Sequence, residues 1–217
     1  MAKSTSKKNA AKDLENQYWH VLLTTGKRPS SVYAFTQEIG VEEAEFYKHA
    51  ASFEALEASY WDRLVEETIQ VLHKDDEYAD YPGDQKILAF FYTFFVHAQK
   101  NRSRLVEFFP RPGCCKALKP MRKRFIEFAR EIVEQGLEDG SIADRKKLSE
   151  KYPELLFEQF RSIIEFHRKD QSTEFQDTDA LIEKSVRFSA DIARSGTLDS
   201  AFDLGRFLMR RLTLPGS

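Results

Sequence analysis

Apolar residues recur at intervals of three and four positions along most of the chain, and this spacing constrains the fold more than any other feature. Such spacing places apolar side chains on one face of an amphipathic helix. The longest run comprises Phe53, Leu56, Tyr60, Leu64, Val65, Thr68 and Leu72. No segment shows the alternation typical of a strand, and the 217 residues include only 9 Gly and 7 Pro. The sequence therefore predicts an all-α fold with about nine or ten helices joined by short links.

Capping and breaking residues divide the first part of this pattern into four helices. The first helix is predicted to run from Asp13 to Gly26. The second begins at Pro29 with Ser30 or Ser31 and ends at Gly40, and a short third helix covers Val41 to Ala50. Ser52 is predicted to cap the fourth helix. Two short helices joined by a tight turn, inside a unit of three helices, are the layout of a helix-turn-helix motif. We therefore predict such a unit over residues 13–58.

Residues 59–217 are predicted to form a larger helical domain. A break around Pro82 precedes a helix over 85–101 that is apolar nearly all round, which indicates that other helices surround it or that it lines a cavity. The further predicted boundaries are a helix over 102–110, a stop at Gly140, a start at Pro153, a cap at Asp177 or Thr178, a stop at Gly196 and a last helix over 198–212.

Residues 1–12 carry four lysines and no acidic residue, and nothing in them can bury a core. We predict a disordered basic tail, which serves either to keep the chain in solution or as an arm that binds phosphates. The whole chain has a net charge of −2, so the overall basic charge usual for a nucleic-acid-binding protein is missing.

The sequence contains no catalytic, cofactor or metal motif: it has no phosphate-binding glycine loop, no nucleophile elbow and no histidine pair at metal-ligand spacing. We therefore predict neither an enzyme nor a bound cofactor or metal. Cys114 and Cys115 are adjacent, which favours reduced thiols and a cytoplasmic protein; they are either a redox-sensitive pair or a chance feature of a loop. No apolar stretch is long enough to predict a membrane span.

A run of 32 residues, "GKRPSSVYAFTQEIGVEEAEFYKHAASFEALE", carries a family resemblance. Its Gly40–Val41 turn, its Phe46–Tyr47 pair and its Ser52 to Leu56 segment resemble, without a gap, the helix-turn-helix pattern of the TetR/AcrR family of regulators. The match covers roughly residues 13–57 and looks most similar to a divergent, Bacteroidetes-type branch. The remaining helices agree in class and length.

The resemblance implies a ligand-responsive transcriptional regulator, commonly a repressor, that binds a double-stranded DNA operator. It also implies a C-terminal domain that binds a small apolar or amphipathic ligand, and a homodimer formed through the helices near 154–170 and 178–195. By position, the residues expected to face DNA are Lys27, Arg28, Ser30, Ser31, Tyr33, Glu42, Glu43, Glu45, Tyr47, Lys48 and His49.

The sequence departs from the family pattern where DNA contacts are made. Glu42, Glu43 and Glu45 stand where Ser, Lys and Thr are common, and Phe53 replaces a lysine that usually binds phosphate. Over residues 13–60, three Lys and Arg against eight Asp and Glu leave a charge of −5. Carboxylates in a first helical turn stabilise the helix, and they also accept hydrogen bonds from cytosine. The alternative function is a TetR-fold protein that has lost DNA binding and acts as a lipid- or isoprenoid-binding accessory protein.

Phenylalanines concentrate in the predicted C-terminal domain, where they form either a solid core or the wall of a ligand cavity. His97, Gln99, Arg104, Arg124 and His167 are the polar candidates nearby. The predicted ligand-binding residues are Trp61, Leu64, Phe90, Phe91, Phe94, Phe95, His97, Phe108, Phe125, Phe128, Phe160 and His167.

Overall fold

A computed structural model describes residues 2–111, 117–144 and 149–194. Within these ranges the chain forms helices and no strand, so the predicted all-α fold is confirmed. Nine α-helices are described: α1 Ala2–Thr25, α2 Val32–Glu38, α3 Glu43–Tyr47, α4 Phe53–Leu72, α5 Gly83–Gln99, α6 Arg102–Phe108, α7 Lys119–Glu138, α8 Tyr152–His167 and α9 Gln176–Arg194. Short 3-10 turns at Asp76–Asp80, Ser149–Lys151 and Thr173–Phe175 precede α5, α8 and α9. The predicted cysteine pair, the Gly196 stop and the last predicted helix lie outside the described residues.

The first helix begins much earlier than the sequence predicts. It starts at Ala2 instead of Asp13, so residues predicted as a disordered tail continue α1 toward the N-terminus. Lengthening an existing helix adds one hydrogen bond for each residue that is ordered, which costs far less than starting a new helix. The segment contains alanines and lysines and no Gly or Pro, so its composition permits this extension.

The helix boundaries around the tight turn follow the predicted capping residues. The Ser31 side chain accepts a hydrogen bond from the backbone N–H of Ala34 at 3.0 Å, which makes Ser31 the N-cap of α2. Gly40 has a φ of 71°, a conformation that costs little only for glycine, and it allows the chain to turn toward α3. Ser52 accepts from the N–H of Ala55 at 3.2 Å and so caps α4, as predicted.

The chain divides into two compact units that do not follow its linear order. The first unit comprises Met1–Thr68 and Phe94–Phe125, and the second comprises Ile69–Thr93 and Ile126–Ser217. The predicted helix-turn-helix residues lie in the first unit, which also includes α6 because this helix packs against α1. The predicted domain boundary at residue 58 therefore does not coincide with the limits of the compact units.

Aromatic rings fill the core of each unit. In the first unit the indole of Trp19 lies 5.0 Å from the ring of Tyr60 and 5.9 Å from that of Trp61. In the second unit the ring of Phe160 stacks on Phe91 at 5.5 Å and meets Phe90 edge-on at 5.4 Å. Ring pairs at these distances stabilise the packing beyond the area that they bury.

A buried polar cluster joins α8 to α9. Asp170 accepts hydrogen bonds from the backbone N–H groups of Ser172 and Thr178, at 2.8 and 2.9 Å. It therefore caps the first turn of α9. The predicted cap, Asp177 or Thr178, is wrong because α9 begins at Gln176 and both residues lie within its first turn.

The hydroxyl of Thr178 extends this cluster to a histidine. It donates to Asp170 Oδ2 at 2.5 Å, and His167 Nδ1 lies 3.2 Å from the same hydroxyl oxygen. Since the single hydroxyl proton is directed at the carboxylate, the Thr178 oxygen accepts from the Nδ1–H of His167. His167 is fully buried, so the cluster is part of the structural core of the second unit.

Candidate functional site

The two short helices each carry one exposed tyrosine, at the start of α2 and at the end of α3. The side chain of Tyr33 on α2 is 59% exposed, and that of Tyr47 on α3 is 54% exposed. Their neighbours Phe35 and Phe46 are completely buried, which fixes the orientation of both helices. The two short helices thus present one apolar face to the core and one polar, tyrosine-bearing face to solvent.

Phe53 belongs to the core beneath these helices. It is 8% exposed, and its ring stacks on Tyr18 at 5.0 Å and meets Phe46 edge-on at 5.3 Å and Phe35 at 5.8 Å. A lysine at this position would lose these ring contacts. Packing therefore explains the departure from the family pattern, because the ring of Phe53 contacts buried rings of both α2 and α3.

Arg28, one of the residues predicted to face DNA, is held by carboxylates. Its Nε donates to Glu57 Oε1 at 2.9 Å and one terminal nitrogen donates to Glu57 Oε2 at 2.7 Å; the other terminal nitrogen pairs with Glu54. The Glu57 hydrogen bonds raise the pKa of Arg28 above its ordinary value. The hydroxyl of Tyr18 donates to Glu57 Oε1 at 2.5 Å, and burial together with this bond raises the pKa of Tyr18.

A carboxylate of α3 also pairs with the two basic residues that follow this helix. Glu45 accepts from Lys48 Nζ at 2.6 Å, and His49 Nε2 lies 3.2 Å from its second oxygen. The hydrogen bond from Lys48 lowers the pKa of Glu45 and keeps it ionised. Glu45 therefore has a structural explanation that the sequence does not show: it neutralises the basic end of α3. The hydroxyl of Tyr47 lies 3.4 Å from Glu43.

The remaining residues predicted to face DNA lie in the loop before α2 or at the N-caps of α2 and α3. Lys27 and Ser30 are exposed in the loop between α1 and α2, and Ser31 caps α2. Glu42 is exposed at the N-cap position of α3, where its side chain makes no capping hydrogen bond. Arg28 and Lys48 are thus directed at neighbouring carboxylates, and whether the predicted residues contact DNA stays a prediction.

The residues predicted to bind a ligand lie in the aromatic cores. Five of them are buried in the first unit: Trp61, Leu64, Phe94, Phe95 and Phe125. Phe108 is half-buried in the same unit, with its ring 6.3 Å from that of Trp19. Five others are buried in the second unit: Phe90, Phe91, Phe128, Phe160 and His167. These side chains pack as core, and whether any of them contacts a ligand stays a prediction.

The polar candidates of the first unit make contacts within that unit. The Arg104 guanidinium lies 5.3 Å from the ring centre of Trp19, and Arg124 forms a two-point ion pair with Asp62 at 2.7 and 2.8 Å. Gln99 is exposed. Burial, with Lys100 nearby, lowers the pKa of His97, so this side chain favours the neutral form.

A cavity of about 380 Å³ lies in the second unit, and none of the predicted ligand residues is among those that line it. It lies among the N-terminal end of α5, the C-terminal part of α7 and facing surfaces of α8 and α9. Its lining residues are Pro82, Gly83, Asp84, Ile87, Ile132, Val133, Ser141, Ile142, Tyr152, Leu155, Leu156, Gln159, Ser185, Val186, Phe188, Ser189, Ala190, Ile192, Ala193 and Arg194. The sequence signal that could have located it is the run of small residues Ser185, Ser189 and Ala193, spaced four apart on α9.

Few polar groups interrupt the apolar wall of this cavity. Arg194 pairs with Asp84 Oδ2 at 2.7 Å, and Gln159 donates to the Ser185 hydroxyl at 3.1 Å. The hydroxyl of Tyr152 and the second oxygen of Asp84 are buried, and neither has a hydrogen-bond partner in the part of the chain that the structure describes. A mostly apolar wall with a few polar groups is typical of small-molecule sites.

The fold and these two sites define an all-helical protein that combines a helix-turn-helix motif with a helical unit containing an apolar cavity. The model of the family described as "Tetracyclin repressor-like, C-terminal domain" matches residues 86–208 of the 217. The chain belongs to this family. The predicted Bacteroidetes-type branch stays a prediction.

A comparison with curated proteins finds no match. No helix among the described residues is both long and apolar enough to span a membrane. The same residues contain no cluster of three or more His, Cys, Asp or Glu side chains that could hold a metal ion.

Proposed function

We propose that the chain is a cytoplasmic, ligand-responsive transcriptional repressor that binds a DNA operator as a homodimer. The observation that carries this proposal is that Tyr33 at the start of α2 and Tyr47 at the end of α3 are exposed, on helices anchored by a buried aromatic cluster. Hydroxyl groups on a rigid helix-turn-helix motif are suited to bind phosphate oxygens and so to position the motif in the major groove.

The charges of this surface predict weak non-specific binding. Each phosphate contact by a Lys or Arg adds to affinity at low salt, but Arg28 and Lys48 are paired with Glu57 and Glu45. Lys27 is exposed and can contact phosphates, and the sequence of residues 1–12 adds four lysines. Exposed Glu42 is placed to accept from a cytosine amino group, which makes it a candidate for base reading.

The dimer is proposed to form through α8 and α9. Two large apolar side chains on these helices are exposed to solvent, Leu155 at 55% and Phe188 at 66%. Exposed side chains of this kind mark surfaces that a partner covers when they lie together. A dimer of this kind would place two helix-turn-helix motifs for neighbouring half-sites.

The test is a genome-wide DNA pull-down with the purified chain, followed by band shifts at about 50 mM salt, where phosphate contacts are strongest. We expect Tyr47→Phe to lower affinity for the enriched fragment about 3- to 10-fold, as expected for one lost hydrogen bond. Tyr92→Phe, which removes a hydroxyl outside the motif, is the matched control and should bind as the wild type does. Enrichment of no fragment by the wild type would contradict the proposal.

A second candidate function is favoured by the two ion pairs that occupy Arg28 and Lys48. They leave carboxylates as the prevailing charged groups of the α2–α3 surface, which favours a protein that has lost DNA binding and acts as a lipid- or isoprenoid-binding accessory protein. Native mass spectrometry and lipid extraction from the same preparation separate the two candidates. Bound lipid without any enriched DNA supports the second function, and enriched DNA excludes the loss of DNA binding.

A further inference from the structure

We propose that the cavity of the second unit binds an apolar small molecule that carries at least one hydroxyl group, with Asp84 and Tyr152 as its polar anchors. This inference names the class of ligand for the proposed ligand response and rests on that proposed function. It places the ligand between α5, α7, α8 and α9, where the sequence did not predict it.

The size and wall of the cavity select the body of the ligand. A volume of about 380 Å³ lies within the range of roughly 300–1,000 Å³ that small-molecule sites occupy. The wall is built from branched aliphatic side chains of four helices and of the segment after α7, among them Ile87, Ile132, Ile142, Leu156 and Val186. A flexible alkyl chain or a small hydrocarbon ring matches such a wall, because it needs no hydrogen-bond partner.

Two buried atoms among the lining residues select the polar group. Tyr152 is 7% exposed and its hydroxyl has no hydrogen-bond partner among the described residues. Asp84 uses Oδ2 for Arg194, whereas its buried Oδ1 has no such partner there. Buried polar atoms in native proteins nearly always have a partner, so a bound molecule that supplies one is favoured.

The chemistry of these atoms distinguishes an alcohol from other ligands. An ionised Asp84 only accepts hydrogen bonds, whereas the hydroxyl of Tyr152 both donates and accepts. An alcohol can donate to the first and accept from the second. A carboxylate ligand cannot donate to Asp84 and adds a like charge beside it, and a hydrocarbon satisfies neither atom. A cationic ligand would compete with Arg194, which already neutralises Asp84.

The position of the cavity relates ligand binding to the proposed dimer. Leu155 and Phe188 belong both to its lining and to the exposed apolar surface of α8 and α9. A molecule in the cavity therefore lies beneath the surface proposed to meet a second copy. Filling the cavity would change the positions of these side chains and, through them, the geometry of the dimer.

The experiment is isothermal titration calorimetry of the purified full chain with 1-decanol, decanoate and decane-saturated buffer. We expect saturable binding of 1-decanol at one site per chain, and binding of decanoate at least tenfold weaker. Tyr152→Phe keeps the ring and removes the hydroxyl, and should weaken 1-decanol binding about 3- to 10-fold. Tyr92→Phe, a half-buried tyrosine of the same unit outside the lining, should leave it unchanged.

A second variant tests the location. Ala190→Trp fills the cavity with an indole and should abolish 1-decanol binding while thermal unfolding shows a folded chain. If this variant does not fold, the comparison of 1-decanol affinity between Tyr152→Phe and Tyr92→Phe still tests the inference. Saturable binding that responds equally to both tyrosine variants overturns the inference, as does no binding by the wild type. A wild type that binds no alcohol and an Ala190→Trp chain that changes its oligomeric state would show a second copy as the occupant instead.

Failure of the ligand inference and failure of the proposed function give different results. A wild-type chain that binds its operator but not 1-decanol overturns the ligand inference alone. Alcohol binding by a chain that enriches no DNA supports the site and contradicts the repressor.

Discussion

The guanidinium of Arg28 lies across the carboxylate of Glu57, with Nε 2.9 Å from one oxygen and a terminal nitrogen 2.7 Å from the other. This two-point ion pair connects the loop after α1 to α4, and Tyr18 on α1 donates to the same carboxylate. Because the Glu57 side chain is 7% exposed, its charge depends on these partners. The cation that the family resemblance assigned to DNA therefore holds the motif together.

Replacing this arginine should destabilise the chain more than replacing its neighbour. We expect Arg28→Ala to lower the free energy of unfolding by about 1–3 kcal/mol, because it leaves a buried carboxylate short of donors. Lys27→Ala removes the same charge from an exposed side chain and should change stability by less than about 0.5 kcal/mol. Urea unfolding of both variants measures the difference. Equal effects would show that the ion pair contributes nothing specific.

The two variants should also separate stability from DNA binding. If DNA binding relies on exposed cations, Lys27→Ala reduces the salt dependence of operator affinity by about one phosphate contact. Arg28→Ala should alter affinity mainly through loss of folded motif. A stable Arg28→Ala chain with a reduced salt slope would instead identify Arg28 as a phosphate contact.

The hydroxyl of Ser31 should be worth about one helix cap. Ser31→Ala removes the acceptor for the Ala34 N–H, and we expect it to lower the free energy of unfolding by about 1 kcal/mol. Ser30→Ala changes an exposed loop residue one position earlier and should be nearly neutral. Hydrogen exchange of the amides of α2 gives a local measurement, since only the cap variant should speed exchange there.

Local rules made most of the fold predictable. The Ser31 and Ser52 caps, the Gly40 turn and the Pro153 helix start each depend on residues within a few positions, and the structure confirms all four. The predicted cap of α9 was wrong because the residue that caps this helix is more distant in the sequence. Its acceptor, Asp170, lies beyond the 3-10 turn that precedes the helix, and sequence spacing does not show that the chain folds back to place it there.

The sites were harder to predict because they depend on contacts between distant residues. The burial of Phe53 under α2 and α3 follows from rings on three other elements. The abundance of phenylalanine left a solid core and a cavity wall open as alternatives, and large rings such as Phe91 and Phe160 fill space by stacking. The cavity instead lies beside small residues of α9, where side-chain volume is missing.

Gly136 on α7 should not tolerate a methyl group. A Cβ atom there would lie 2.7 Å from Ile142 Cδ1 and 2.8 Å from its Cγ1, so Ile142 must move. Alanine in a helix normally stabilises by up to about 1 kcal/mol. We expect the displacement to outweigh this gain and Gly136→Ala to lower the free energy of unfolding by about 1 kcal/mol. Because Ile142 lines the cavity, 1-decanol binding should weaken as well.

Gly140 provides the control for this variant. Its φ is 77°, and among the described residues no neighbouring atom lies within 4 Å of the position that an added Cβ would take. Gly140→Ala therefore costs only the backbone strain, about 1 kcal/mol. Both variants should lose similar stability, but Gly140→Ala should keep the affinity for 1-decanol. Equal affinities in the two variants would show that Ile142 does not shape the cavity.

The ionised carboxylate of Asp170 should make stability depend on pH. Burial opposes its charge, but the hydrogen bonds from Ser172 and Thr178 outweigh burial and hold the pKa of Asp170 well below its ordinary value of about 3.9. Since the folded state has the lower pKa, the carboxylate stabilises the fold fully above about pH 5. This contribution is lost as the pH falls through the unfolded and then the folded pKa.

We expect Asp170→Asn to lower the free energy of unfolding at pH 7 by about 2–3 kcal/mol, since it weakens hydrogen bonds to a charged group. The difference from the wild type should shrink as the pH is lowered from 5 toward 2, because the wild-type carboxyl is then increasingly protonated. Asp177→Asn, an exposed residue of the same helical turn, should cost only about 0.3–1 kcal/mol. Urea unfolding across this pH range is the measurement. A wild-type-to-Asp170→Asn difference that stays constant from pH 7 to pH 2 would show that the carboxylate charge does not hold α8 and α9 together.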